Sequence, residues 1–210
     1  PEGLHPNWPP VYDQLMAIVA LLAGWGDPGR ETIEAVGALT PPLLGALVVP
    51  LVFFIARRLM HPAAAIASAC LAAVLPYAVQ VSVLGRPDHH VAAVFCSALL
   101  LLSSMWTIEA RGIRTAGGRG IVAGLMLALS FSVWVGSMVF AFILAVSFGM
   151  LLLVNRKRMD RSLELLCGGF ILFGSAGLFF APVVMTSYFF KAGLLSWDAP
   201  SAFHLFVLGG

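Results

Sequence analysis

Gly85-Arg86-Pro87-Asp88-His89-His90 leads directly into Val91–Ile108, a run of eighteen residues without a charge. At about 1.5 Å per residue, such a run crosses a hydrocarbon core of roughly 30 Å as a helix. A dense ionisable turn followed by an uncharged run places the turn at a bilayer surface and the run through it. That reading decides the fold class.

The pattern recurs outward from this stretch. Of 210 residues, 60% are hydrophobic and only 10% charged, against roughly 25% charged in soluble domains. The sequence predicts an all-α polytopic transmembrane helical bundle. About seven spans are expected, near 11–25, 42–60, 63–81, 91–108, 121–133, 138–154 and 163–185, with the start of another at 202–210. Cys70, Cys96 and Cys167 are odd in number, far apart and within apolar runs, so neither a disulfide framework nor a Cys-x-x-Cys metal site is expected. The lack of Met at Pro1 and the apolar run still open at Gly210 read as an internal piece of a longer chain, expected to be inactive alone.

Local punctuation sets the boundaries. Residues 1–10 are polar and Pro-rich, hence a loop, and Trp8 and Tyr12 suit a membrane interface. The segment after them is short, and either crosses with help from its flanks or lies partly in the interface. Pro41-Pro42 is expected to kink or restart a helix, and Pro76 to kink the span that holds it. Residues 109–119 read as a basic, Gly-rich loop and 155–161 as another. Trp134-Val135-Gly136-Ser137 is a tight turn joining two spans as an antiparallel hairpin. Gly168, Gly169, Gly174 and Gly177 allow close helix packing, and Glu164 is expected to pair with a basic loop.

Orientation follows from charge. Arg57, Arg58, Arg111, Arg114, Arg119, Arg156, Lys157, Arg158 and Arg161, nine of the twelve cations, fall on one side if spans alternate. Glu2, Asp13, Asp27, Glu31, Glu34, Asp88 and Asp198, seven of the ten acids, fall on the other. The positive-inside rule puts the basic loops in the cytoplasm. The Asp88 turn is then on the outer face: periplasmic, extracellular or lumenal. The basic loops are topology signals, and no nucleic-acid partner is expected.

Two readings of the turn stand side by side. Asp88 precedes a long helix, where a carboxylate caps free backbone N–H groups; His89 and His90 are then interfacial side chains. Alternatively, Asp88 and His90 are ligands of a divalent metal, which they can share if the helix starts at His90 or later with His89 turned aside. More ligands are then needed, and Asp13, Glu31 and Asp198 are candidates on the same side. Arg86 either reaches lipid headgroups or holds a phosphate in a bidentate fork. Charges within spans are nearly absent, which argues against an ion pathway.

Several of these residues resemble a known family. Gly85-x-x-Asp88-His89-His90 opening an apolar helix is similar to the second acidic motif of the STT3-type oligosaccharyltransferase catalytic subunits, whose archaeal and bacterial relatives are AglB and PglB. Archaeal members show Asp-x-His there, as Asp88 and His90 do. Trp8-Pro9-Pro10-Val11-Tyr12 resembles the family's Trp-Pro-Pro-Leu-Tyr stretch, and the order of Trp-Pro-Pro, Pro-Pro, Arg-Arg and Asp-His-His is similar too, as is the Trp134 turn. The resemblance implies the N-terminal part of a GT-C bundle. It further implies a metal-dependent glycosyltransferase, moving a glycan from a polyprenyl (pyro)phosphate carrier to protein asparagine on the outer face.

In that scheme Asp88 is catalytic, and Asp88 and His90 hold Mn²⁺ or Mg²⁺. Arg86 and His89 bind phosphate, and Asp13, Trp8 and Tyr12 are further candidates. The implied partners are a lipid-linked oligosaccharide, an acceptor polypeptide and membrane lipid. Three departures are plain. The family's first catalytic Asp lies upstream of Trp8, its acceptor motif lies beyond Gly210, and an Arg common seven residues before the Asp is replaced by Val81, so that Arg86 stands in. Competing expectations are another GT-C transferase using a polyprenyl-phosphate sugar donor, a lipid-linked precursor transporter, and a structural membrane subunit with Asp88 as a mere cap.

Overall fold

The computed structural model describes residues 9, 11–187, 191, 193 and 200–209. Its described elements are all helical: α1 (Val11–Ala23), α2 (Arg30–Leu59), α3 (Pro62–Val74), α4 (Pro76–Val81), α5 (His89–Ile108), α6 (Ile113–Val133), α7 (Met138–Asn155), α8 (Met159–Thr186) and α9 (Ala202–Gly209). A 3-10 turn, Val135–Ser137, links α6 to α7. Five stretches are long and apolar enough to cross a membrane: α2, α5, α6, the 3-10 turn with α7, and α8. The chain is an integral membrane protein. Val11–Ala23 and Pro62–Val74 are apolar but shorter; thirteen residues of helix reach only about 20 Å. The chain divides into two compact units within α5, between Leu99 and Leu100.

In the first unit, α2 is one helix through Pro41, Pro42 and Pro50, so the expected restart at Pro41-Pro42 does not occur. A proline inside a helix removes one i→i−4 hydrogen bond, and another group helps to satisfy this stretch. The amide of Gly85 donates at 3.1 Å to Ala38 C=O, the carbonyl that Pro42 leaves without its helical donor. Pro76 does more than kink its segment. Leu75 before it is extended (φ −58°, ψ 124°), because a residue preceding proline is driven out of the helical region, and two helices result. The α2–α3 pair is the main packing of this unit.

In the second unit, α6 packs above all on α8. The chain reverses at Trp134–Ser137 as expected, but α6 and α7 do not form a closely packed hairpin; α7 and α9 lie against α8 instead. The glycines explain the pairing. A Cβ on Gly120 would stand 2.6 Å from Gly168 C=O, and one on Gly124 would collide with Ser175 and the Leu172 carbonyl. The expected loop 109–119 is therefore mostly helix: α6 starts at Ile113 and uses Gly117, Gly120 and Gly124 for close approach. Arg119 lies in that helix and folds back over Trp106, its guanidinium 4.6 Å from the ring centre. Of the four glycines expected to pack closely on α8, Gly168 and Gly169 do, Gly177 makes ordinary contact with Leu208, and Gly174 faces open space.

The core of this unit joins Leu127, Phe131, Leu144, Leu172 and Phe180. Two buried serines pin the α6–α7 turn: the Ser130 hydroxyl donates to Ser137 Oγ at 2.8 Å, and Ser137 donates to the Ser130 carbonyl at 3.1 Å. At the basic end, Arg161 donates to the carbonyls of Ile108 and Ala110 and pairs with Glu164 at 2.9 Å. Glu164 in turn accepts the Gly112 amide at 2.6 Å. The expected pairing of Glu164 is thus with Arg161, and the two side chains clip the α5–α6 turn to the start of α8.

Candidate metal and phosphate site

The turn before α5 is built by its backbone. Gly85 has φ +79°, a left-handed conformation that glycine adopts without Cβ strain. The Arg86 amide donates to Val83 C=O at 3.2 Å, and the Asp88 amide to Arg86 C=O at 2.7 Å across Pro87. Proline's fixed φ suits this tight bend. Asp88 then stands as the residue before α5, and its Oδ1 accepts the His90 amide at 3.3 Å. The cap expected of Asp88 is present.

The same carboxylate gathers both imidazoles. His89 Nδ1 is 3.3 Å from Asp88 Oδ1, and His90 Nε2 is 3.9 Å from Oδ2. The two rings are 4.5 Å apart at their centres. One donor atom from each of the three residues lies within 4.8 Å of the others, and this is the single such His/Cys/Asp/Glu group among the described residues. Ligand atoms around one first-row ion, at about 2.0–2.2 Å from it, stand roughly 3–4 Å apart, so small side-chain rotations suffice. One carboxylate with two imidazoles is a donor set that first-row transition ions accept more readily than Mg²⁺, which prefers oxygen alone.

The helix starts where the cap reading puts it and not where the shared-metal reading requires. α5 begins at His89 rather than at or after His90, and His89 is not turned aside. Asp88 lies outside the helix, so its side chain reaches over the first turn to both rings, which adjacent positions on a regular helix would not allow by themselves.

Arg86 flanks the group. Its Nη2 is 3.6 Å from Asp88 Oδ2 and its Nη1 3.4 Å from Gln80 C=O. Its side chain is about half exposed (48%), so part of the fork faces outward. Val81, where the resemblance implies an Arg, ends α4 and is 3% exposed. Of the further candidates, Tyr12 is buried at 5% exposure with its hydroxyl unpartnered among the described residues. Asp13 is close enough for its charge to act on His89, but it is not in the three-residue group. Glu31 lies in the exposed first turn of α2, where Arg30 pairs with Glu34 at 2.7 Å. Trp8 and Asp198 fall outside the described residues. An apolar groove of about 860 Å³ between α1 and the start of α2 ends at Gly85 and Pro87, with Asp13 and Glu34 in its wall.

With this geometry in place, the likeness to known proteins is specific. The sequence matches the family described as oligosaccharyl transferase STT3, N-terminal, over residues 1–207. The chain belongs to that family. Its STT3 relatives include dolichyl-phosphooligosaccharide-protein glycotransferases 2 and 1 of Archaeoglobus fulgidus, 31% identical over 149 residues and 30% over 196. These alignments take in 70% and 93% of this chain but 23% and 30% of the relatives. The chain thus spans less than a third of the length of either.

Solved structures agree on the fold. The A. fulgidus oligosaccharyltransferase tethered to an acceptor peptide with the NVT sequon matches with a TM-score of 0.82 at 24% identity, covering 99% of this chain and 25% of that one. The same organism's enzyme in complex with Zn and sulfate matches with a TM-score of 0.79 at 24% identity, covering 100% and 26%. This STT3 chain therefore shares the helical transmembrane fold of the corresponding part of the A. fulgidus oligosaccharyltransferase.

Proposed function

We propose that this chain is an N-terminal part of the membrane portion of an oligosaccharyltransferase that moves a glycan from a polyprenyl-phosphate-type carrier to an asparagine of an acceptor polypeptide. The observation that carries this reading is the Asp88-His89-His90 group with Arg86 beside it, in a chain of this family. Asp88 and His90 hold a divalent cation. His89, whose ring belongs to the same group, is a third ligand rather than the phosphate contact implied by resemblance. Bound there, the ion supplies positive charge toward the phosphate that leaves with the carrier.

The protein's own groups do the rest. Arg86 presents the outward part of its guanidinium to phosphate oxygens, for which its planar fork is suited. Asp88 holds both imidazoles and caps α5, so the donor atoms are fixed to a helix that is anchored in the membrane. The donor set supports Mn²⁺ over Mg²⁺. The concentration of Arg and Lys at the opposite helix ends supports an outer-face site.

The test is transfer by the full-length protein, with a lipid-linked oligosaccharide and an Asn-x-Thr peptide as substrates. Chelation by EDTA is expected to abolish transfer, and Mn²⁺ to restore it. Asp88→Ala and His90→Ala are expected to lose at least about tenfold in metal affinity. Full transfer by Asp88→Ala at limiting Mn²⁺ would overturn the reading.

A further inference from the structure

We infer that Pro42, on a different helix from the ligands, is a positioning residue for the Asp88-His89-His90 group. The inference rests on the metal reading proposed above and adds to it the part of the scaffold that sets where the group stands.

A proline within a helix has no N–H for the carbonyl four residues before it. In α2 this frees Gly37 C=O through Pro41, Ala38 C=O through Pro42 and Ala46 C=O through Pro50. Among the described residues, the Ala38 carbonyl is the one of the three that receives a partner from outside the helix: the Gly85 amide, at 3.1 Å. An ordinary residue at position 42 would offer its own N–H to that carbonyl and compete with Gly85. Ala38 is only partly buried and Gly85 is exposed, and the carbonyl that Pro42 leaves without a helical donor is the one that the Gly85 amide takes.

Neighbouring contacts hold the same strip. A Cβ on Gly37 would lie 3.9 Å from the Pro87 ring, and one on Gly45 would run into Ser82. Ala38 and Gly45, seven residues and so nearly two turns apart, lie along one line of α2, with Gly37 about 100° round from Ala38 at its edge. The segment 82–87 lies along this face, touching it at Ser82, Gly85 and Pro87. Three residues after the Gly85 bond comes Asp88. Pro42 thus acts on the ligands through the Ala38 carbonyl and the Gly85 amide, without touching them.

Pro42→Ala in the full-length protein tests this, with Pro50→Ala as the matched control in the same helix. Two quantities are read on each protein: amide hydrogen exchange of peptides covering 82–88, and Mn²⁺ affinity by electron paramagnetic resonance. Pro42→Ala is expected to speed exchange at Gly85 and to weaken Mn²⁺ binding by about tenfold, as loss of an outer support for metal ligands does. Pro50→Ala is expected to change neither, and the thermal transition of both is expected to match that of the wild type.

Unchanged exchange in Pro42→Ala overturns the inference, as does faster exchange with Mn²⁺ affinity retained. Equal weakening by both proline variants also overturns it, because a general softening of α2 would then be the cause. Asp88→Ala separates the two levels. If wild-type Mn²⁺ binding does not depend on Asp88, the metal reading itself falls and the positioning role with it. If binding depends on Asp88 but not on Pro42, only the positioning role is lost.

Discussion

Asp88 and His90 meet twice: Oδ1 of the carboxylate accepts the His90 amide at 3.3 Å, and Oδ2 lies 3.9 Å from the His90 ring Nε2. One oxygen is used by the helix and the other faces the imidazole. Capping and metal binding are therefore compatible roles of one side chain, and the alternatives posed by the sequence do not exclude each other.

Asp88→Asn separates these roles. Asn caps a helix about as well as Asp, so the thermal transition is expected to shift by no more than the equivalent of about 0.5 kcal/mol. The charge is lost, and Mn²⁺ affinity is expected to fall by about tenfold or more. Titrating Mn²⁺ by electron paramagnetic resonance on the sample used for the melt gives both numbers. Binding within twofold of wild type would leave Asp88 as a cap alone.

His89 decides between ligand and phosphate contact. With its Nδ1 3.3 Å from Asp88 Oδ1, His89→Ala is expected to weaken Mn²⁺ by a factor similar to His90→Ala. A phosphate contact would behave differently, raising the KM for the lipid-linked donor while leaving Mn²⁺ affinity as it was. Measuring both constants on the two alanine variants reads the answer directly.

The α6–α8 contact predicts a graded response to small residues. Gly124→Ala forces a Cβ into Ser175 and the Leu172 carbonyl, and Gly120→Ala into the Gly168 carbonyl. Overpacking of this kind costs about 1–3 kcal/mol. Gly174→Ala meets nothing within 4 Å and is expected to be neutral or slightly stabilising, since Ala is the better helix former. Unfolding in detergent followed by circular dichroism ranks the three, and a Gly174 variant as damaged as Gly124→Ala would contradict this packing.

How far the sequence reveals this molecule depends on the range of each cause. Run length and charge act locally, so the apolar helices, the basic ends and the break at Pro76 are readable from residue types. Asp88 as a cap is readable in the same way. Gly117 falls in the expected loop 109–119 because a glycine that permits close helix contact looks, in isolation, like one that permits flexibility; Ile171 across the contact tells the two apart. The partner of the Ala38 carbonyl, the Gly85 amide, is likewise distant in sequence. The place of His89 in the group depends on Asp88 lying just outside the helix with its side chain over the first turn, which residue spacing does not fix. Pro42 is itself a signal, since it leaves Ala38 C=O without its helical donor.

The Arg161 clip gives a prediction about residue type as well as charge. Arg161 reaches two carbonyls, Ile108 and Ala110, and the Glu164 carboxylate at once, while being mostly shielded, at 17% side-chain exposure. A guanidinium presents several donors in a fixed plane, whereas an ammonium is a single compact centre. Arg161→Lys keeps the charge but cannot span the three acceptors, so it is expected to lose most of the stability that Arg161→Gln loses, about 1.5–3 kcal/mol for hydrogen bonds involving a charged group. Glu164→Gln keeps an acceptor for Gly112 and is expected to cost less than either. Chemical unfolding of the three variants checks the order, with Mn²⁺ affinity expected to stay at the wild-type value in all. Full stability of Arg161→Lys would mean that charge alone holds the α5–α6 turn to α8.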